Sequence, residues 1–189
     1  MSRAGRDTLA LRLVRGGRLL LTLLLGASTT LAQETNGAPA TVVPLLEPEQ
    51  PFTVSVHVYW GEVELRSSPG AAVEFRAEDD AGARAPVQLR HEGNAVSLRQ
   101  PPPDEGTFAS ANLTLLVPPG GQLHVLVERG GNVRSRGLDA DLEVNNLNGS
   151  VDILEHSGSA TVNATNGTIR VELLEPNDRP MMFLSLIHI

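Results

Sequence analysis

Residues 131–171 read GNVRSRGLD ADLEVNNLN GSVDILEHS GSATVNATN GTIRV when broken every nine residues. Gly131, Gly149, Gly158 and Gly167 open four of the five units and Ala140 opens the other. Two and four residues further on stand Leu142 and Val144, Val151 and Ile153, Ala160 and Val162, and Ile169 and Val171; in the first unit Val133 keeps the pattern and Ser135 breaks it. An apolar residue at every second position marks a strand with one face turned inward, because successive side chains point to opposite sides. The glycines fall between the strands, where a residue without Cβ takes positive φ at little cost, and Asn148-Gly149 and Asn166-Gly167 strengthen the turn reading.

A four- or five-residue strand cannot bury its apolar face alone, so the units must stack and share an interior. Two arrangements satisfy the periodicity. In one, two nine-residue units make one turn of a coil and odd and even units form opposing sheets. In the other, the same turns join antiparallel hairpins into a meander. Both need inward alternation and a bend every nine residues, and the spacing does not separate them. The outward positions, among them Asp141, Glu143, Asn145, Asp152, Thr161, Asn163, Arg170 and Glu172, make a polar face with no aromatic platform.

Upstream the chain is rich in strands but irregular. Val54, Val56 and Val58 alternate, as do Val63 with Leu65, Val73 with Phe75, Val87 with Leu89, and Val96 with Leu98. After the break at Pro101-Pro102-Pro103 come Leu113–Val117, the turn Pro118-Pro119-Gly120-Gly121, and Leu123–Val127. These read as hairpins or longer strands belonging to the same sheet system. No stretch keeps helical spacing over three turns.

The first thirty-two residues read as an address. Arg3, Arg6, Arg12, Arg15 and Arg18 precede the apolar run 19–25, and small residues lead to Ala32, the order of a secretory signal cleaved before Gln33. An uncleaved membrane anchor is the alternative, although the run is short for a span of about 20 residues. Residues 33–50, with Pro39, Pro44 and Pro48, read as a linker in which Val42-Val43 and Leu45-Leu46 could cover a sheet edge. At the other end, residues 175–189 follow no repeat grid. LSLIHI resembles translated sequencing-adapter read-through, so this tail is read as truncated or nonnative, with an edge-covering strand or a short anchor fragment as the other readings.

A length of 189 residues fits one domain. Apolar residues make up 41% and charged residues 20%, the balance of a globular chain. Aromatics are only 3%, with Trp60 and Tyr59 the single tryptophan and tyrosine, so the core is built from valine, leucine and alanine. The formal net charge is -7; five arginines and one aspartate precede residue 33, which leaves ten arginines against twenty-one acids beyond it. Such a surface repels phosphate backbones and anionic lipid, which argues against nucleic-acid binding and leaves membrane contact to an uncleaved N-terminus or a C-terminal anchor. Cysteine is absent, which excludes thiolate chemistry, cysteine-ligated metal and lipidation through an N-terminal cysteine.

Chemistry-bearing residues do not converge on a motif. His57, His91, His124, His156 and His188 form no His-x-His or His-Glu-x-x-His pair, and His57 and His124 sit in alternating strands as structural residues. Asp139, Asp141 and Glu143 alternate along one turn and strand, and Glu78-Asp79-Asp80 makes a second acidic cluster; neither has the spacing of a calcium loop, and both read as solvated. No serine lies in Gly-x-Ser-x-Gly, and neither Gly120-Gly121 nor Gly130-Gly131 leads into a lysine or a helix. Asn112, Asn148, Asn163 and Asn166 open Asn-x-Ser/Thr triplets, which matter only in a glycosylating host. No catalytic, cofactor-binding or metal site is assigned, and no cofactor is expected.

The units GEVEL, GNVRS, ADLEV, GSVDI, GSATV and GTIRV, with the lead-in LTLLVPPGGQLHVLVERGGNV, resemble the bacterial putative-adhesin family of β-strand-repeat envelope proteins over residues 52–173. The resemblance implies a right-handed parallel β-solenoid of unknown function with no catalytic residues to carry over. Ala140, Ser135, His156 and Thr165 depart from the pattern. The expectation is thus an all-β, glycine-punctuated and β-solenoid-like repeat over 51–174, with irregular hairpins in its N-terminal half. Its expected role is noncatalytic: an exported protein of the periplasm, outer envelope or cell surface, structural or adhesive, with an envelope protein or glycan as partner. A sensory or accessory module beside a membrane signalling system is the alternative, and a polysaccharide hydrolase a more distant one.

Overall fold

The computed structural model describes residues 38–45, 47, 50–102, 109–174 and 179–186. The signal segment expected over 1–32, the linker residues 33–37, Leu46, Pro48, Pro103, part of the tail and His188 lie outside them.

The described residues contain fourteen strands and no helix. In chain order they are β1 (Thr41–Pro44), β2 (Thr53–Trp60), β3 (Val63–Ser67), β4 (Ala72–Glu78), β5 (Gln88–Glu92), β6 (Ala95–Arg99) and β7 (Asn112–Val117). There follow β8 (Gln122–Gly130), β9 (Val133–Arg136), β10 (Asp141–Asn148), β11 (Val151–His156), β12 (Ala160–Asn166), β13 (Ile169–Leu173) and β14 (Met181–Ser185). They form two mixed seven-stranded sheets. The first runs β1-β4-β7-β3-β9-β11-β13 and the second β14-β12-β10-β8-β2-β6-β5.

From β8 onward the chain alternates between the sheets, one strand in each, and strands two apart in sequence pair in parallel. Val133 faces Val151, which faces Ile169; in the other sheet Leu142 faces Ala160 and Val144 faces Val162. From β9 to β13 each step is eighteen residues, two of the nine-residue units, so this segment is not a meander of antiparallel hairpins. The inward side chains Leu142, Val144, Val151, Ile153, Ala160 and Val162 are at most 2% exposed. Each such valine, leucine or isoleucine contributes about 1.5–3 kcal/mol of transfer free energy.

The glycine column explains the grid more fully than turn geometry does. A Cβ on Gly149 would overlap the Gly131 carbonyl, one on Gly167 the Gly149 carbonyl, and one on Gly131 the Gly61 carbonyl; Gly158 stands likewise over Ala140. Gly131 and Gly149 also have φ of 143° and 131°. The bends of successive coils therefore stack backbone on backbone, and the missing side chain sets how closely they approach.

The nine-residue grid also merges two different bends. Leu138, Leu147, His156 and Thr165 share one phase, yet Leu138 and His156 are buried while Leu147 is 43% exposed. The bends alternate in kind, so the environment repeats every eighteen residues.

The N-terminal half departs from the expected hairpins. Only β5 and β6 form a simple antiparallel hairpin; β2 pairs in parallel with both β6 and β8, and β3 with both β7 and β9. The coil made of β2 and β3 therefore lies inside the stack, flanked by strands that come later in the chain. Pro118-Pro119-Gly120-Gly121 is no hairpin turn: it carries the chain from β7 in the first sheet to β8 in the second. The Phe52 ring packs against Gly121 so closely that a Cβ there would lie 2.7 Å from it.

The linker supplies an edge strand. β1 pairs antiparallel with β4, with Val43 buried and Val42 exposed. The tail supplies another, because Met181 faces Ala160 and Ser185 faces Ala164 in parallel register, while Met182, Phe183 and Leu184 stay exposed.

Candidate functional site

The outer face of the second sheet gathers most of the side chains that could hold a partner. Parallel in-register pairing places Ser55, His124, Glu143 and Thr161 in one row across four strands, and His57, Leu126, Asn145 and Asn163 in the next. Adjacent members stand one strand spacing apart, about 4.8 Å. Asn145 Oδ1 accepts from Asn163 Nδ2 at 2.9 Å, and Asn148 Oδ1 from Asn166 Nδ2 at 2.9 Å, so amides stack up the coils as ladders. A shallow depression of about 240 Å³ lies among Gln122, His124, Asp141, Glu143, Ser159 and Thr161.

The histidines on this face are tied to carboxylates. His57 Nε2 donates to Glu128 Oε1 at 2.9 Å, and its ring stacks on Tyr59 with centroids 5.3 Å apart. His124 Nδ1 donates to Glu143 Oε2 at 3.0 Å. His91 Nε2 bonds its own turn at the Gly93 carbonyl, 2.8 Å away.

One constellation brings a serine, an aspartate and a histidine together without the geometry of a nucleophile. Ser159 Oγ donates directly to Asp141 Oδ1 at 2.6 Å, and the Ser159 amide donates to the same oxygen at 3.2 Å. The hydroxyl bond, above other causes, holds the Asp141 carboxyl below the usual carboxylate range. His156 lies wholly buried, and its Nε2 donates to the Ser159 carbonyl at 3.0 Å rather than facing the hydroxyl. The Ser159 proton is thus directed at a carboxylate, and among the described residues no imidazole nitrogen is bonded to the hydroxyl.

The two acidic clusters are spread over local duties. Asp79 accepts from the amides of Ala81 and Ala83 at 2.9 Å each and so closes its own turn. Glu78 accepts from the Ala38 amide at 3.0 Å. Asp80 is held below the usual carboxylate range by hydrogen bonds from Ser110 and Asn112. Asp141 and Glu143 point to Ser159 and His124, as above, and not to a shared centre. Among the described residues no three His, Asp or Glu side chains are grouped to hold a metal ion. No helix among them is long and apolar enough to cross a membrane.

The outer face of the first sheet is laced with ion pairs instead. Arg66 meets Glu64 at 2.6 Å and Arg136 meets Glu155 at 3.0 Å. The Arg136 hydrogen bond lowers the Glu155 carboxyl, and the same contact raises the guanidinium. Glu155 takes this place at φ 55°, the position one coil above Gly137, whose φ is 67°.

One feature of the second sheet was not legible in the local sequence pattern. Trp60, at the end of β2, is 52% exposed, and the backbone leading to it is held by the buried side chain of Gln100, forty residues away.

The fold and its surface define an all-β protein of two stacked mixed sheets with polar outer faces. No protein-family model and no curated protein matches the chain. Among solved structures it is similar to a putative cell adhesion protein from Clostridium sporogenes ATCC 15579, at 9% identity and a TM-score of 0.38, over 79% of this chain and 97% of that one. It is also similar to a putative adhesin from Bacteroides fragilis NCTC 9343, at 12% identity and a TM-score of 0.24, over 79% of this chain and 93% of that one. With TM-scores this low, neither likeness bears on what the chain does.

Proposed function

We propose that this chain is a noncatalytic, exported envelope protein, built as a β-solenoid-like scaffold whose outer sheet face holds an extended partner in a structural or adhesive role. The observation that carries the reading is the repetition of neutral polar side chains at strand spacing. Asn145 over Asn163 and Asn148 over Asn166 present a regular array matched to a partner that itself repeats, such as a glycan or an extended peptide. The charged, apolar and small-residue order of residues 1–32 supports export.

Two measurements test it. N-terminal sequencing of the chain recovered from fractionated bacteria is expected to find Gln33 first, in the periplasmic or outer-envelope fraction; an intact Met1 in the inner membrane would favour the sensory module. Incubation with isolated envelope polysaccharide is expected to retain the protein on the polymer and leave polymer length unchanged. Shortened polymer would replace the scaffold with a hydrolase.

A further inference from the structure

We infer that Trp60, with the amide row beside it, forms a binding site for a neutral glycan; this names the partner of the scaffold proposed above and rests on that reading. Trp60 is the single tryptophan of a chain with only 3% aromatic residues, and it is 52% exposed. Space-filling alone would have buried it, and three features fix it where it stands.

The register of β2 against β8 shifts between Val58 and Trp60, which breaks the alternation just before the indole. Gln100, 3% exposed, accepts from the Tyr59 amide at 2.8 Å and the Trp60 amide at 3.1 Å, and its Nε2 donates to the Ala109 carbonyl at 2.7 Å. The six-membered ring then lies 3.5 Å from where a Gly130 Cβ would stand, over bare backbone. A large, half-exposed ring already held in place loses little freedom when a ligand stacks on it.

The neighbours define the ligand. The Asn148 main-chain carbonyl lies 3.6 Å from the same point on Gly130. The Asn148 side-chain amide donates to the carbonyl of Arg129, next to Gly130, at 2.6 Å and accepts from Asn166 at 2.9 Å, which sets a row of neutral donors and acceptors on the residues next to the one that the ring covers. An amide nitrogen carries two hydrogens, and one on each is directed along the row. A sugar ring offers the matching pair of surfaces, a flat C–H face for the indole and hydroxyls at its rim for the amides.

A peptide adding as a strand would need open main-chain groups, and here they are engaged. Gly61 N donates to Gly130 O at 3.1 Å, and Gly131 N to Asn148 O at 3.0 Å. Ten arginines against twenty-one acids beyond residue 32 disfavour an anionic glycan.

Because Trp60 is the single tryptophan, its own emission reports occupancy. The full mature chain is titrated with cellohexaose, chitohexaose and mannohexaose, with polygalacturonate as the anionic comparison. At least one neutral hexasaccharide is expected to shift Trp60 emission saturably. By calorimetry Trp60→Ala should then bind it roughly tenfold or more weakly, while Trp60→Phe stays within about threefold. Gln100→Ala keeps the indole but releases its backbone, and should weaken binding about threefold or more.

The inference is overturned if none of the three neutral sugars moves the emission, or if polygalacturonate alone does. It is also overturned if Trp60→Ala, with unchanged circular dichroism, binds like the parent; the partner-holding scaffold would then survive with its site elsewhere. Shortened oligosaccharide would instead count against the noncatalytic reading itself.

Discussion

Four alanine substitutions separate what a turn glycine does from what a stacking glycine does. Gly149 has φ 131°, and a Cβ there would overlap the Gly131 carbonyl. Holding an L-residue at that φ costs about 1–3 kcal/mol, and forcing a methyl into filled space costs about 1–3 kcal/mol more. Gly149→Ala should therefore lose about 3 kcal/mol. With a urea m-value of about 2 kcal/mol/M, that moves the unfolding midpoint down by about 1.5 M.

Gly158 meets the Ala140 carbonyl without a positive φ and isolates the clash, so Gly158→Ala should lose about 2 kcal/mol. Gly82, at φ 80° with open space around it, isolates the backbone and should lose about 1 kcal/mol. Gly70 has ordinary contacts and no positive φ; Gly70→Ala should be neutral or stabilise by about 0.5 kcal/mol. Urea titrations followed by Trp60 emission give all four midpoints. If Gly158→Ala is as mild as Gly70→Ala, backbone-on-backbone stacking is not what the glycine column provides.

Other substitutions bear on single contacts. Glu155→Gly should raise the midpoint, since glycine accepts the φ of 55° and the exposed pair with Arg136 contributes little at the surface; a lower midpoint would mean the pair outweighs the strain. His156→Leu should stabilise by about 1 kcal/mol, because the buried Nδ1 has no partner and Leu138 fills the same position one coil earlier; the urea midpoint checks it. The Asp141 carboxyl is lowered in the folded chain, so its contribution is present above the ordinary aspartate range and is lost as pH falls through the folded value. Midpoints at pH 7 and pH 3 should therefore fall less in Asp141→Asn than in the parent, and equal falls would remove the Ser159 contact from the account.

The repeat was legible because burial writes itself into alternation. Val151 and Ile153, or Ile169 and Val171, announce an inward face whatever their partners are, and the glycines mark the bends. Strand order was not legible: nothing local says that β2 and β3 end up inside the stack, since pairing between β2 and β8 joins residues about seventy apart. Pro118-Pro119-Gly120-Gly121 has hairpin chemistry, yet the same four residues serve a crossing between sheets, and only tertiary pairing distinguishes the two. The difference between Leu138 and Leu147 was hidden because a nine-residue grid averages two kinds of bend. The placing of Trp60 is not legible locally, because what holds it, Gln100 and Gly130, is distant in the chain and ordinary in composition.

Parallel stacking at an eighteen-residue step is the claim that everything else leans on, and a chain without cysteine allows it to be probed directly. Asp152 and Arg170 are cross-strand neighbours in the first sheet, and the strand spacing of about 4.8 Å falls in the Cα range of about 4.4–6.8 Å that a disulfide needs. In a hairpin bent at Ser157-Gly158 Asp152 would face Asn163, which here lies in the other sheet. Under mild oxidation the pair Asp152→Cys and Arg170→Cys should cross-link fully within the monomer, and the pair Asp152→Cys and Asn163→Cys should stay reduced. Bridging of the second pair and not the first would mean that neighbouring nine-residue units lie side by side in hairpins, and would contradict the fold described.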